Sequence, residues 1–80
     1  MSAQQERYIA SPDIMEEAFQ ITWAYLQGSG QIVPGQEYDA RVLVRSALTR
    51  ASYEGTLHKL ILANKAIRAY EQTKRIHALA

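Results

Sequence analysis

Apolar residues recur at helical spacing in three stretches of the chain and alternate at strand spacing in none. Ile14, Ala18, Ile21 and Tyr25 mark one face of a first helix, and Met15, Phe19, Trp23 and Leu26 widen it. Ala40, Leu43, Val44, Ala47, Leu48 and Ala51 mark a second, with Arg41, Arg45, Ser52 and, more marginally, Arg50 off the stripe. A third contains Leu57, Leu60, Ile61, Leu62, Ala63, Ala66, Ile67 and Tyr70. The only short β-branched run, Ile32-Val33, sits between Gly30 and Pro34 and has no alternating segment to pair with.

Boundary residues place the ends of these elements. Ser11 suits a helix cap and Pro12 the first helical position, where a missing N–H costs nothing; Asp13, Glu16 and Glu17 favour the positive end of the helix dipole. Gly28 follows the last periodic residue and reads as a left-handed cap. Glu37 and Asp39 open the second helix, with Glu37 four residues before Arg41 in the favourable order, and Lys74 and Arg75 suit the last turns of the third. Continuing the second stripe at 3.6 residues per turn would bury Glu54, His58 and Lys65. The actual apolar positions sit about one residue, or roughly 100°, away. Gly55 and Thr56 therefore read as a cap followed by a new start, with a single kinked helix over 37–76 as the rival. The helices predicted are 12–27, 37–54 and 57–76.

These elements predict an all-α fold: a small antiparallel three-helix bundle forming one domain over 1–80, with 1–10 and 77–80 frayed. The first two helices make a hairpin through the glycine-containing loop, and the third packs across them. An 80-residue chain removes only about 60% of its unfolded-state surface from water. The apolar surface of helices one and three is broader than such a chain can hide. Self-association as a symmetric dimer is expected, with Ile14, Phe19, Trp23, Leu60 and Ile67 as the contact residues. The five tyrosines and Trp23, spread over all the helices, suit a boundary that is part core and part contact.

The loop "GSGQIVPGQE" invites a phosphate-binding reading, because Gly30 and Gly35 enclose four residues as in the phosphate-loop motif. Gln36 and Glu37 then stand where that motif needs lysine and a hydroxyl, and Glu37 and Asp39 would repel an anion. A dinucleotide fingerprint fails at Val33, where a glycine is required. The loop reads as a hinge, with Ile32 and Val33 as an apolar strap over the end of the bundle. A helix-turn-helix around Ala51 and Gly55 would bury Arg50, Glu54 and Asn64, at a cost of several kcal/mol if unpartnered.

Charge adds a different kind of information. Residues 1–40 hold six acids (Glu6, Asp13, Glu16, Glu17, Glu37, Asp39) against one base, Arg7. Residues 41–80 hold eight bases against two acids, Glu54 and Glu71. Two readings follow: halves that complement each other, within the fold or between copies, or a basic surface for nucleic acid or an acidic partner made of Arg41, Arg45, Lys65, Arg68, Lys74 and Arg75. The pI near 8.1 lies below the value above about 9 expected of a dedicated nucleic-acid domain.

No residue constellation points to catalysis. Cysteine is absent, which removes disulfides, thiolate ligands and thiol nucleophiles. His58 and His77 stand apart, Glu54 and His58 alone do not make a zinc site, and Glu16 and Glu17 point about 100° apart on a helix. No cofactor or metal is expected, no stretch approaches the roughly 20 apolar residues that span a bilayer, and nothing resembles a secretory signal. The reading is a cytoplasmic, non-enzymatic interaction or regulatory module that self-associates or binds another protein, with a small nucleic-acid-binding protein as the alternative.

Overall fold

Ser11 starts the first helix, α1 (Pro12–Gly28): its Oγ accepts a hydrogen bond from the Ile14 N–H at 3.2 Å, and Pro12 follows as the first helical residue. In the computed structural model, which describes the backbone of residues 10–79 and the side chains of 10–76, two further helices follow, α2 (Glu37–Tyr53) and α3 (Lys59–Leu79). The expected all-α three-helix bundle is the architecture observed, with no strand among the described residues.

Helix ends depart from expectation in informative ways. Gly28 remains helical, and the left-handed cap falls two residues later, on Gly30 with φ 75°. The Gln31 N–H reaches the Leu26 carbonyl at 2.9 Å and the Gly30 N–H reaches Gln27 at 3.1 Å, a Schellman closure. Ser29 makes the extra step possible by donating its hydroxyl to the Tyr25 carbonyl at 2.9 Å. The same closure ends α2: Gly55 adopts φ 97°, its N–H bonds Ser52 at 3.0 Å, and the Thr56 N–H bonds Ala51 at 3.0 Å. The two separate helices expected here are therefore observed, rather than the rival single kinked one.

The third helix begins at Lys59 rather than Leu57, because His58 takes the cap. Its carbonyl accepts from the Leu62 N–H at 2.9 Å and its Nδ1 from the Leu60 N–H at 3.2 Å. At the other end α3 runs on to Leu79, past the expected stop near 76. No glycine or proline follows Gly55 to break it.

Contacts between helices give an up-down-up order. Arg45 meets Glu16 and Phe19 while Arg41 meets Trp23, so α2 runs antiparallel to α1. Lys59 meets Glu17, and the Thr22 hydroxyl lies 3.5 Å from the Ala63 carbonyl. Beyond the end of α1, Tyr70 Oη donates to the Gln31 carbonyl at 3.3 Å. Residue numbers rise together along this seam, so α3 lies parallel to α1 rather than across the hairpin.

The core lies along the common axis. Ala18, Leu26, Val44, Leu48, Leu62 and Ala66 are almost wholly enclosed, with Phe19, Trp23, Ala40, Ala51 and Tyr70 around them. Ile32 packs against this cluster as a strap should, whereas Val33 is largely exposed, so only half of the expected strap closes.

Two more expectations are corrected. Ser52, placed off the buried stripe by periodicity, is 1% exposed because the chain entering α1 covers it, and its Oγ accepts from the Ala10 N–H at 2.7 Å. Ala10 is thereby part of the core rather than of a frayed end. Residues 1–9 and 80 lie outside the described residues, as do the side chains of 77–79. Thr22, likewise buried, donates to the Ala18 carbonyl at 2.9 Å, so the hydroxyls of Ser52 and Thr22 are both satisfied.

Candidate interaction surface

The amides of Gly30, Gln31, Gly35 and Gln36 are turned to the chain itself rather than to an anion. Val33 to Gln36 form a turn with Pro34 and Gly35 at its centre, closed by the Gln36 N–H to the Val33 carbonyl at 2.9 Å, with Gly35 at φ 90°. The Gly35 N–H donates to Oε1 of Glu37 at 2.9 Å, so the anion at that glycine is the protein's own carboxylate. At the α2–α3 junction Arg50, Glu54 and Asn64 are all exposed, which leaves a helix-turn-helix without the packing it requires.

Basic residues separate into two groups. Arg45 lies 3.9 Å above the Phe19 ring and 3.3 Å from a Glu16 oxygen, and Arg41 lies 5.3 Å from the Trp23 ring centre. Both therefore roof the stacked Phe19–Trp23 pair, whose centroids are 5.6 Å apart, each cation contributing about 0.5–1 kcal/mol at an exposed site. On α3, Lys65 donates to Thr56 Oγ1 at 2.6 Å and Lys74 stands 5.8 Å from the Tyr70 ring. Arg68 and Arg75 are exposed and make no ion pair among the described residues. Arg68 and Arg75 fall on the side of α3 opposite Leu62 and Ala66, Lys65 turns to Thr56 at the end of α2, and Arg41 and Arg45 face α1, so the six do not merge into one patch.

The acids of α1 are partly answered within the chain. Glu17 pairs with Lys59 at 2.7 Å and Glu16 with Arg45 at 3.3 Å, both about half exposed, so solvent screens these pairs and they add little to stability. The Gln20 amide donates to Glu16 at 2.8 Å and, with Arg45, holds that carboxyl below its ordinary pKa against a smaller opposing effect of desolvation. Asp13 makes no ion pair among the described residues.

Apolar contact residues divide as well. Phe19 and Trp23 are 5% and 8% exposed and belong to the bundle's own core, so neither is offered to a partner. Ile14 and Ile67 are half-buried, and Leu60 is 52% exposed. Beside Leu60 the structure adds two residues that were not singled out for contact, Ile61 at 50% and Leu57 at 38% exposure. The signal was present: Leu60, Ile61, Leu62 and Ala63 are four consecutive apolar residues, and at 100° per residue they span most of a turn, so they cannot all face one core.

Leu60, with the half-buried Ile14 and Ile67, belongs to one side of the bundle, the α1/α3 face, and Ile61 opens about 100° further round α3. Helical spacing places Asp13, Glu17, Ile21 and Tyr25 along the outer edge of α1, and Leu60, Asn64, Ile67 and Arg68 along the adjoining edge of α3. The Glu17–Lys59 pair bridges the two at one end. Tyr25, 51% exposed, adds an amphipathic ring near the other.

Among the described residues no group of three or more metal-type side chains converges, and no helix is long and apolar enough to cross a membrane. His58 serves as the α3 cap, and His77 lies beyond the described side chains. Comparison with protein-family models, with curated proteins and with solved structures gives no match.

Proposed function

We propose that this protein is a non-enzymatic helical interaction module that pairs with a second copy of itself through the α1/α3 face. The observation that carries this reading is Leu60, a large aliphatic side chain open to water, flanked in the chain by the exposed Leu57 and Ile61 while its neighbours Leu62 and Ala63 are enclosed. In a chain of 80 residues this surface is a substantial fraction of the aliphatic material available, and covering it supplies stability that a small core lacks. The near-neutral net charge of +1 leaves little overall repulsion between copies.

Sedimentation equilibrium between low and high micromolar concentration tests the reading. The expected result is a reversible dimer that the double variant Leu60→Gln with Ile61→Gln converts to a monomer with unchanged helical circular dichroism. A native protein that stays monomeric throughout the range overturns it.

A second reading is favoured by one observation: Lys65, Arg68 and Arg75 are exposed on α3 with Gln72 and form no ion pairs among the described residues. Such a row would meet phosphates, making the protein a small nucleic-acid binder. Titration with a short duplex at two salt concentrations checks it, because phosphate contacts weaken steeply as salt rises. Absence of binding at low salt removes it.

A further inference from the structure

We infer that the two copies pair antiparallel, about a two-fold axis perpendicular to the helices, so that the acidic end of each α1/α3 face meets the basic end of the other. This rests on the self-association reading above and specifies its geometry. The inference comes from how charge is distributed along the face. Every ionised side chain of α1 is acidic and lies in its first turns: Asp13, Glu16 and Glu17. The α3 bases that make no ion pair among the described residues and lie nearest this face come later, at Arg68 and Arg75.

Because α1 and α3 run parallel, these groups do not face one another within a copy. Lys59 is level with Glu17 and Ala63 with Thr22, so Arg68 lies near the level where α1 ends. Charges that temper each end are also placed. Lys59 answers Glu17 at the acidic end, and at the basic end Glu71 accepts from Gln31 Nε2 at 2.9 Å. Lys74 turns to the Tyr70 ring. Each end still keeps its sign, acidic around Asp13 and basic around Arg68. Between them the face is apolar, with Ile21 on one helix and Leu60 and Ile67 on the other.

A two-fold axis along the helices would leave acidic ends together and basic ends together. An axis across them opposes unlike ends twice, as an isologous contact requires, and keeps the apolar middle on the axis. At contact distances the attraction is not lost to salt, since the screening length is about 8 Å at physiological ionic strength. The midpoint between the acidic and basic groups falls near Asn64, which sits between Leu60 and Ile67 at helical spacing.

The chain has no cysteine, so single substitutions report the geometry cleanly. Under mild oxidation of the otherwise native protein, Asn64→Cys should form an intermolecular disulfide and Glu71→Cys should not. Glu71 lies on the same side of α3 as Leu60 and Asn64 at helical spacing; in the antiparallel pair the two positions 71 stand about 21 Å apart along the helix, whereas a parallel pair sets them at one level. Charge reversal supplies the second arm: Arg68→Glu alone and Asp13→Lys alone should each weaken dimerisation by about tenfold, and the two together should recover most of it. A dimer that cross-links through Glu71→Cys, or fails to cross-link through Asn64→Cys, overturns the antiparallel geometry and leaves self-association standing. A strictly monomeric native protein overturns both and leaves the face to a different partner.

Discussion

α1 and α3 carry similarly broad apolar surfaces, and the bundle treats them differently. On α1 the surplus is aromatic, and α2 covers it: Phe19 and Trp23 stack, and Arg45 and Arg41 lie across their outer faces. On α3 the surplus is aliphatic, and both other helices approach from the side of Leu62, Ala66 and Tyr70, leaving Leu60 and Ile61 about half exposed. A flat ring can be roofed by an arginine whose stem packs against it while its charge stays in water. An exposed leucine or isoleucine offers no such arrangement and is covered only by other apolar groups.

The largest effect should come from the shared core, where the two helices behave alike. Leu26→Ala on α1 and Leu62→Ala on α3 each empty an enclosed site and should cost about 2–5 kcal/mol. Chemical denaturation reads this as a fall in midpoint in both, and a mild effect in one would mean that the helices do not contribute equally. Next comes the roof: Arg45→Ala should cost about 1 kcal/mol by uncovering Phe19, and Arg45→Gln, which keeps much of the stem, should cost less. Equal losses in the two variants would place the contribution in the charge.

A smaller effect separates α3's buried side by pH. Burial raises the pKa of Tyr70 above its ordinary value near 10, so the folded state favours the neutral phenol. The stability this contributes is complete below the ordinary value. It falls as pH climbs from there toward the raised folded value, because the unfolded chain loses its proton first. Native protein should therefore lose stability more steeply than Tyr70→Phe above about pH 10. The smallest change is expected at Leu60→Gln: at concentrations where the protein is monomeric, its denaturation midpoint should move by less than about 0.5 kcal/mol equivalent. A large loss there would show that Leu60 belongs to the core after all.

How much of this was legible beforehand depends on the range of the interaction. Ser11 and Pro12 marked the start of α1 because a cap acts within three residues, and Gly55 ended α2 for the same reason. Gly28 misled because Ser29, one residue on, prolonged the helix to a second glycine that satisfies the cap equally well. Ser52 was misplaced because its partner, Ala10, lies 42 positions away. Of the candidate contact residues, Leu60 was found open. Phe19 and Trp23 were not, since their cover arrives from Arg45 and Arg41 in another helix.

Helical identity, approximate bounds and the surplus of apolar positions were determined by the sequence alone, because periodicity and capping depend on neighbours within about a turn. The parallel course of α1 and α3, the roofing of the aromatics and the exposure of Leu60 and Ile61 were decided only when the helices packed. A side chain's cover depends on which distant segment arrives at it, and nothing in its local spacing carries that information.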